Sequence, residues 1–559
     1  MHNEPFSDAE RALLAPFVTD RDAPIFGLRN LPEVVRGALF ARYSRSDKSL
    51  RRMLLDEFIQ APESGFAEIV GGAQHTSSDQ LVATQRAEAF YERVLVGYGD
   101  DSVAELGGAH IACEGVSNIA AKVLEDSRIG ISPLEKSTRY VVFTKKVDGC
   151  YRYVRAPQIM ASPHAARYEA AMDGLFDTYT ALLEPTMAWV RTETPRDEGT
   201  SERAYASATR AKACDILRGL LPMATQTNVG LFGNGRAFEY LLTKLYASPF
   251  AELRDLGGAM QAALDMLIPS FVKRAKNERG QAYQAYLWGM RENVAALVQA
   301  KETRRQGDRE TSAKLISPFP CLPVSSSIQL VAYDPDAEWK TVAAILYPHS
   351  DQPLDALREF ARQLPADERA AIIRAYVGER SSRFHKPGRA FEEPVYTFDM
   401  LADIGAYRDI QRHRMLTQER QPYTVRHGFI TPLELEAAKL AQPYADALER
   451  AADTFETIAA DMPNEAQYAV PLAFRMRWRM TFNLREAYHL CELRAAPQGH
   501  PTYRKIAQEI YSHIREVHPT LAEGMRFVDM NDYALERLDA ERRLDAKLAR
   551  LTDEETNCR

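Results

Sequence analysis

LPMATQTNVGLFGNGR spans residues 221–236, and VPLAFRMRWRMTFNLR spans residues 470–485. Proline stands second in both, an Asn-x-Arg triplet closes both, and 12 residues separate Pro222 from Asn234 and Pro471 from Asn483. Each triplet opens an apolar pattern at helical spacing, where Asn is also a plain helix cap. Upstream, Glu105 lies 20 residues before Glu125, and Glu392 lies 20 before Arg412. Matching halves at this scale predict an internal duplication, because solenoid repeats are far shorter. A duplicated half packs as a pseudo-dimer, as if two subunits of a symmetric oligomer had been fused.

The rest of the chain fits an ordinary globular protein. It has 559 residues, 45% of them hydrophobic and 26% charged, with a net charge of −7. That balance offers no basic field for nucleic acid. No apolar run is long enough to span a bilayer. The opening MHNEPFSDAERALL is acidic and lacks an apolar signal segment, so a cytoplasmic protein is expected. Six scattered Cys without a CxxC pair read as reduced thiols.

The fold class read from the pattern is mixed α and β, rich in helix. Helices are expected after Pro32, over KSLRRMLLDEFI, over 82–96, from Ser162-Pro163 to about 193, and over 205–219, 235–247, 251–276 and 281–302. Residues 139–147 and 328–333 read as strands. Thr431-Pro432 with Glu434 reads as a capping box that opens a helical pattern to about residue 461, with a break or kink at Pro443. The charged tract 301–314 runs into Pro- and Ser-rich 317–327, the clearest composition shift. The domains expected are a helical extension over 1–80, a first copy over 81–315 and a second over 316–559.

Tyr407-Arg408-Asp-Ile-Gln-Arg412-His413-Arg414 is the most unusual segment, delivered at the end of a buried helix. Its guanidinium groups repel unless anions sit among them, and each is a fork that fits phosphate oxygens. Arg408 and Arg412, four apart, would share a helix face. The segment reads as a phosphate site or as an ion network with Asp403, Asp409 and Glu419. Ser132-Pro-Leu-Glu135-Lys-Ser137-Thr-Arg139-Tyr140 reads as a loop that wraps a phosphate, or as an ordinary turn with a surface Arg. Ser102 with Glu105 forms a capping box, a structural job. His385, His413 and His489 show no metal-binding spacing, and no nucleophile elbow or Cys-His pattern is present.

Together these segments resemble the flavin-dependent thymidylate synthases, in their long tandem form, over roughly 85–275 and 380–520. The family carries Arg-His-Arg, then a loop with Ser, Glu, Ser and Arg-Tyr, then Arg-x-x-Leu-Pro and Asn-x-Arg. The first half keeps Ser132, Glu135, Ser137, Arg139, Arg218, Asn234 and Arg236, but has Glu125-Asp126-Ser127 in place of Arg-His-Arg. The second half keeps Arg412, His413, Arg414, Asn483 and Arg485, with Arg494 at the last Arg position and His489 at a polar cofactor contact. It has Gln467 in place of the Arg before the Pro and lacks the Ser-x-Arg-Tyr ending. The losses are complementary, so the two halves are expected to complete one another.

The resemblance implies reductive methylation of dUMP at C5, with FAD as cofactor and NADPH and methylenetetrahydrofolate as co-substrates. It assigns catalytic roles to Arg139, Arg218 and Arg494. It assigns nucleotide contacts to Ser132, Glu135, Ser137, Arg139, Arg218 and Arg408. It assigns cofactor contacts to Arg412, His413, Arg414, Asn483, Arg485, His489, Asn234 and Arg236. No metal is expected, and a homodimer would imitate the family's tetramer. The alternatives are a C5-modifying enzyme for UMP or another pyrimidine nucleotide, and a flavin- or nucleotide-binding paralogue without catalysis.

Overall fold

The computed structural model describes residues 6–43, 46–60, 103–310 and 327–557. The expected helix over 82–96, the Ser102 cap and most of the 317–327 boundary lie outside them. The fold is mixed α and β, rich in helix, and it repeats. In the first copy β1 (Gly108–Ser117) runs into a helix at Asn118–Glu125, β2 (Ile131–Glu135) follows, and β3 (Gln226–Asn234) runs into a helix at Gly235–Tyr246. In the second copy β4 (Ser327–Tyr333) precedes β5 (Val395–Asp403), which runs into a helix at Ile404–Ile410. Then come β6 (Thr417–Arg420) and β7 (Arg475–Asn483), which runs into a helix at Leu484–Arg494. The sheet orders are β1-β3-β2 and β4-β5-β7-β6, so the second repeats the first with β4 added at one edge.

Period-two patterning builds the central strand of the second sheet. Met476, Trp478, Met480 and Phe482 are buried on one face of β7, alternating with Arg475, Arg477, Arg479 and Thr481. The Asn-x-Arg triplets then cap helices alike in both copies. Asn234 Oδ1 accepts from the Ala237 N–H at 2.8 Å, and Asn483 Oδ1 from the Glu486 N–H at 2.9 Å.

The chain condenses into two compact units. Unit one is Met1–Glu114, Val123–Glu135 and Asn228–Ile316. It holds the helices Asp8–Leu14 and Glu33–Tyr43 and the antiparallel pair β2–β3, in which Ser132 lies opposite Phe232. Unit two is Gly115–Lys122, Lys136–Thr227 and Ser317–Arg559, so it takes a long segment of the first copy together with the second.

Within unit two the two proline motifs meet across a local two-fold. Pro222 and Pro471 form an antiparallel bridge. Met223 N–H donates to Val470 O at 2.9 Å and Leu472 N–H to Leu221 O at 3.0 Å; Ala224 donates to Tyr468 O at 2.9 Å and Ala473 to Gly219 O at 3.0 Å. Each bond has its counterpart with the copies exchanged, the signature of an isologous interface inside one chain.

Several local expectations change. Ser132–Glu135 is a strand, β2, not a loop. Residues 139–147 form no strand, only a bridge between Val147 and Cys150, because residues 141–149 bury no face against a partner. Helix 251–276 breaks after Leu267, ahead of Pro269. The helix Glu278–Glu310 continues through the first ten residues of the charged tract. At 431–434 the cap residue is Pro432 and no side chain caps the helix Leu433–Ala437. The chain breaks before Pro443, at Lys439 with φ of 58°, and Pro443 sits in the first turn of the helix Ala441–Ala459, where a missing N–H costs nothing. The helix Ile404–Ile410 ends before Arg412, so Arg412 lies in the turn beyond it and shares no helix face with Arg408.

Candidate functional site

The candidate site is built in unit two around Asp409, in the last turn of the helix Ile404–Ile410. Burial pushes the Asp409 carboxyl up, yet Arg218, Arg412, Arg139 and Arg494 together hold it well below the usual carboxylate range. Arg139 and Arg218 come from the first copy, Arg412 and Arg494 from the second. Arg218 Nη1 donates to Asp409 at 3.0 Å, while its Nη2 is buried with no partner among the described residues. The Asp403 Oδ1 caps the helix by accepting from Ala406 N–H at 2.8 Å, and its Oδ2 is likewise buried without a partner. Of the three carboxylates expected to pair with the segment's own arginines, Asp409 sits among guanidinium groups, but the one it bonds is Arg218, 191 residues away. Glu419 stands exposed on β6.

Arg139 is held more tightly than a ligand hook needs. Its Nε and Nη2 form a bidentate pair with Asp215 at 2.9 and 2.7 Å. Nη1 donates to Tyr503 Oη at 3.1 Å, and Nη2 also reaches Gln498 O at 3.2 Å. One N–H of five is left for a ligand. Burial alone would raise the Asp215 carboxyl, but Arg139, His500 and Arg537 bring it down to about 2. Arg537 also donates to Arg139 O at 2.8 Å and lies 4.2 Å from the Tyr140 ring. Ser137 accepts from the Arg139 N–H at 3.2 Å, and Arg408 Nη1 reaches Thr138 Oγ1 at 3.5 Å. The segment 137–139 thus lies against the helix that leads to Arg412.

A second chain of contacts starts at Glu486, in the first turn after the Asn483 cap. Glu486 Oε1 lies 2.6 Å from His413 Nδ1, and Arg494 Nε lies 3.0 Å from His413 Nε2. Burial, with Arg494 and Lys386 nearby, holds the His413 imidazole neutral, well below its usual pKa. Burial also lowers His489 to about 4, and its ring lies 5.3 Å from that of His413. Arg414 is exposed and Arg412 half-buried. Arg485 donates to Pro387 O at 2.9 Å and to Glu392 at 3.0 Å.

His413, Glu486 and His489 bring ligand-type atoms within 4.8 Å of one another. Linear spacing does not reveal that grouping, since His413 and Glu486 are 73 residues apart. His413 nevertheless has one nitrogen on Glu486 and the other on cationic Arg494, an arrangement that repels a metal ion. The four described cysteines are free. Burial raises the Cys113 thiol to about 11 and pushes Cys491 further up, so neither is an activated thiolate.

The remaining sequence candidates belong to unit one. Ser132 is exposed on β2 and Glu135 buried at its end. Asn234 is a cap, and Arg236 pairs with Glu105 at 2.7 Å. Arg236, Tyr240, Arg279 and Tyr283 line a cavity of about 530 Å³ there. The residues sequence reading passed over are Asp215, Glu486, His500, Tyr503 and Arg537. Asp215 offered one signal, a carboxylate in the otherwise small and apolar run that leads to Arg218.

Comparison with known proteins agrees with this doubled architecture. The family of thymidylate synthase complementing proteins matches residues 59–270 and again 329–520. A UPF0159 protein of Chlamydia pneumoniae is 43% identical over 542 residues, covering 97% of this chain and 98% of that one. UPF0159 proteins of Chlamydia muridarum and Thermoplasma acidophilum are 42% and 34% identical, covering 97% and 92% of this chain and 99% of each relative. A solved UMP/dUMP methylase, PolB of Streptomyces cacaoi bound with 5-Br dUMP, aligns at 17% identity and a TM-score of 0.30, over 36% of this chain and 94% of that one. Among the described residues no helix is long and apolar enough to cross a membrane. With its family pattern matched twice and its two copies joined by reciprocal bonds at Pro222 and Pro471, the chain belongs to the thymidylate synthase complementing proteins, the flavin-dependent thymidylate synthase family, as a tandem duplication.

Proposed function

We propose that this protein methylates dUMP at C5 to give dTMP, using FAD, NADPH and methylenetetrahydrofolate, as a cytoplasmic homodimer. One observation carries the reading: guanidinium groups from both copies converge on Asp409 in unit two. A buried cationic cluster whose Arg218 Nη2 has no partner among the described residues suits an anion such as a nucleotide phosphate or a polarised uracil oxygen.

The donor set also fits a phosphate-bearing cofactor. Exposed Arg414 beside half-buried Arg412 offers forks to phosphate oxygens, and Arg485, His489 and Asn483 offer polar contacts on the adjoining helix. Bound FAD would supply the redox chemistry. The chain's own part is positioning and electrostatics. Arg218 and Arg494 orient the nucleotide and stabilise negative charge on the ring, and His413 stays neutral so that it adds no charge of its own. Arg139, tied to Asp215, shapes the site more than it grips a ligand.

The test is the absorbance spectrum of the purified chain before and after NADPH and dUMP, with tritium release from C5-labelled dUMP compared with UMP. A yellow protein that bleaches with NADPH and releases tritium from dUMP is expected. Arg412→Ala should abolish flavin retention; a variant that stays yellow and active removes the assignment. Release from UMP alone shifts the substrate, and a colourless, inactive protein ends the enzyme reading.

A further inference from the structure

Arg494 is the guanidinium whose aim depends on a partner that itself has two possible states. An imidazole accepts at a ring nitrogen only where that nitrogen lacks a proton, and a neutral ring carries its single proton on the other. At His413 the two nitrogens face opposite demands. Burial pushes the Glu486 carboxyl up, while His489, Lys386, Arg494 and Arg485 around it favour the carboxylate; as a carboxylate, 2.6 Å from Nδ1, it requires an N–H there. The Arg494 Nε–H, 3.0 Å from Nε2, requires a lone pair there. One tautomer satisfies both, and Glu486 selects it. Were the proton on Nε2, it would meet the Arg494 N–H head on and turn the guanidinium away.

We propose that Glu486 is a positioning residue, which acts through the buried His413 ring to hold the Arg494 guanidinium in the aim it needs at the Asp409 site. The geometry around the chain fits that role. Glu486 is anchored at the capped start of the helix Leu484–Arg494, and Arg494 ends the same helix, so His413 ties its two ends to the turn after Ile410. His413 and Glu486 are both buried, which keeps water from substituting for either bond. Past His413, the Arg494 guanidinium lies 5.8 Å from the centre of the Tyr503 ring, whose hydroxyl accepts from Arg139 Nη1 at 3.1 Å. One carboxylate therefore sets the second copy's Arg494 against the same tyrosine that receives the first copy's Arg139. Partners that orient a metal-ligating histidine typically carry a roughly 10- to 100-fold effect, and an effect of that order is expected for this metal-free analogue.

The inference rests on the proposed reading for what Arg494 does, but not for how it is held, and the experiment separates the two. Protein labelled with [15N]histidine is compared by NMR as wild type, Glu486→Leu and Glu486→Gln, alongside tritium release from dUMP and the KM for dUMP. In the wild type the His413 signal should show Nδ1 protonated and Nε2 bare. Glu486→Leu should lose that signature and lower turnover roughly 10- to 100-fold, with a smaller change in KM. Glu486→Gln retains an acceptor oxygen and should restore both. A Leu variant that keeps the Nδ1–H signature, or that turns over like the wild type, overturns the proposal, as does a Gln variant no better than Leu. If the wild type has no turnover, the functional reading fails while the tautomer comparison still decides the positioning claim.

Discussion

At the residue scale, the site depends on an atom that is missing. Gly405 lies in the first turn of the helix Ile404–Ile410, and a Cβ there would stand 2.8 Å from Asp403 Oδ1, 3.1 Å from Arg218 Nη2 and 3.2 Å from Arg218 Nε. Alanine favours a helix over glycine by about 1 kcal/mol, which offsets the strain the Cβ puts on the Asp403 cap, so Gly405→Ala should keep the helix and push the Arg218 guanidinium aside. The expected outcome is a loss of nucleotide affinity of roughly tenfold, about 1.4 kcal/mol, read by titration with dUMP, with thermal stability changed by a few degrees at most. Gly219 gives the contrasting case. A Cβ there would fall 2.1 Å from the buried Tyr444 hydroxyl, so Gly219→Ala should destabilise the fold itself.

At the scale of elements, the buried carboxylate of Asp215 ties three segments together: its own helix Glu202–Leu217, the 137–140 segment through Arg139, and the tail through Arg537. Its carboxyl is held at about 2 against an ordinary 3.8. A depressed carboxylate contributes stability that is complete above the unfolded value and is lost as pH falls through the folded one. At 1.36 kcal/mol per unit, that contribution is about 2 kcal/mol. Urea midpoints should therefore drop between about pH 4 and 2, and the Asp215→Asn variant should lose that slope while being less stable at neutral pH, because two guanidinium groups stay buried without their counter-ion. An unchanged acid slope in the variant would refute this account.

At the scale of the whole molecule, part of the first copy is built into one compact unit with the second. The first copy lost its Arg-His-Arg, showing Glu125-Asp126-Ser127 instead, yet its residues 136–227 fold into unit two with the second copy. The reciprocal bonds at Pro222 and Pro471 leave backbone groups of each copy dependent on the other. The fragment 317–559 alone should accordingly be insoluble or molten, and co-expression with 1–316 should recover a soluble pair that co-purifies. A fragment 317–559 with a cooperative melt of its own would show that the copies are independent.

The sequence by itself determined the duplication, the helix starts at Asn234 and Asn483, the family, and the arginines worth watching. These are matters of spacing, and spacing survives in a linear string. Tertiary structure alone decided who partners whom. Arg218 meets Asp409 across 191 residues, Arg139 meets Asp215 across 76 and His413 meets Glu486 across 73. It also turned 132–135 into an edge strand and denied 139–147 one, because a strand exists only where a neighbour accepts its hydrogen bonds and a face can be buried. Charge pairing in a low-dielectric interior follows distance in space, and a chain that folds back on its own copy makes those distances unreadable from residue number.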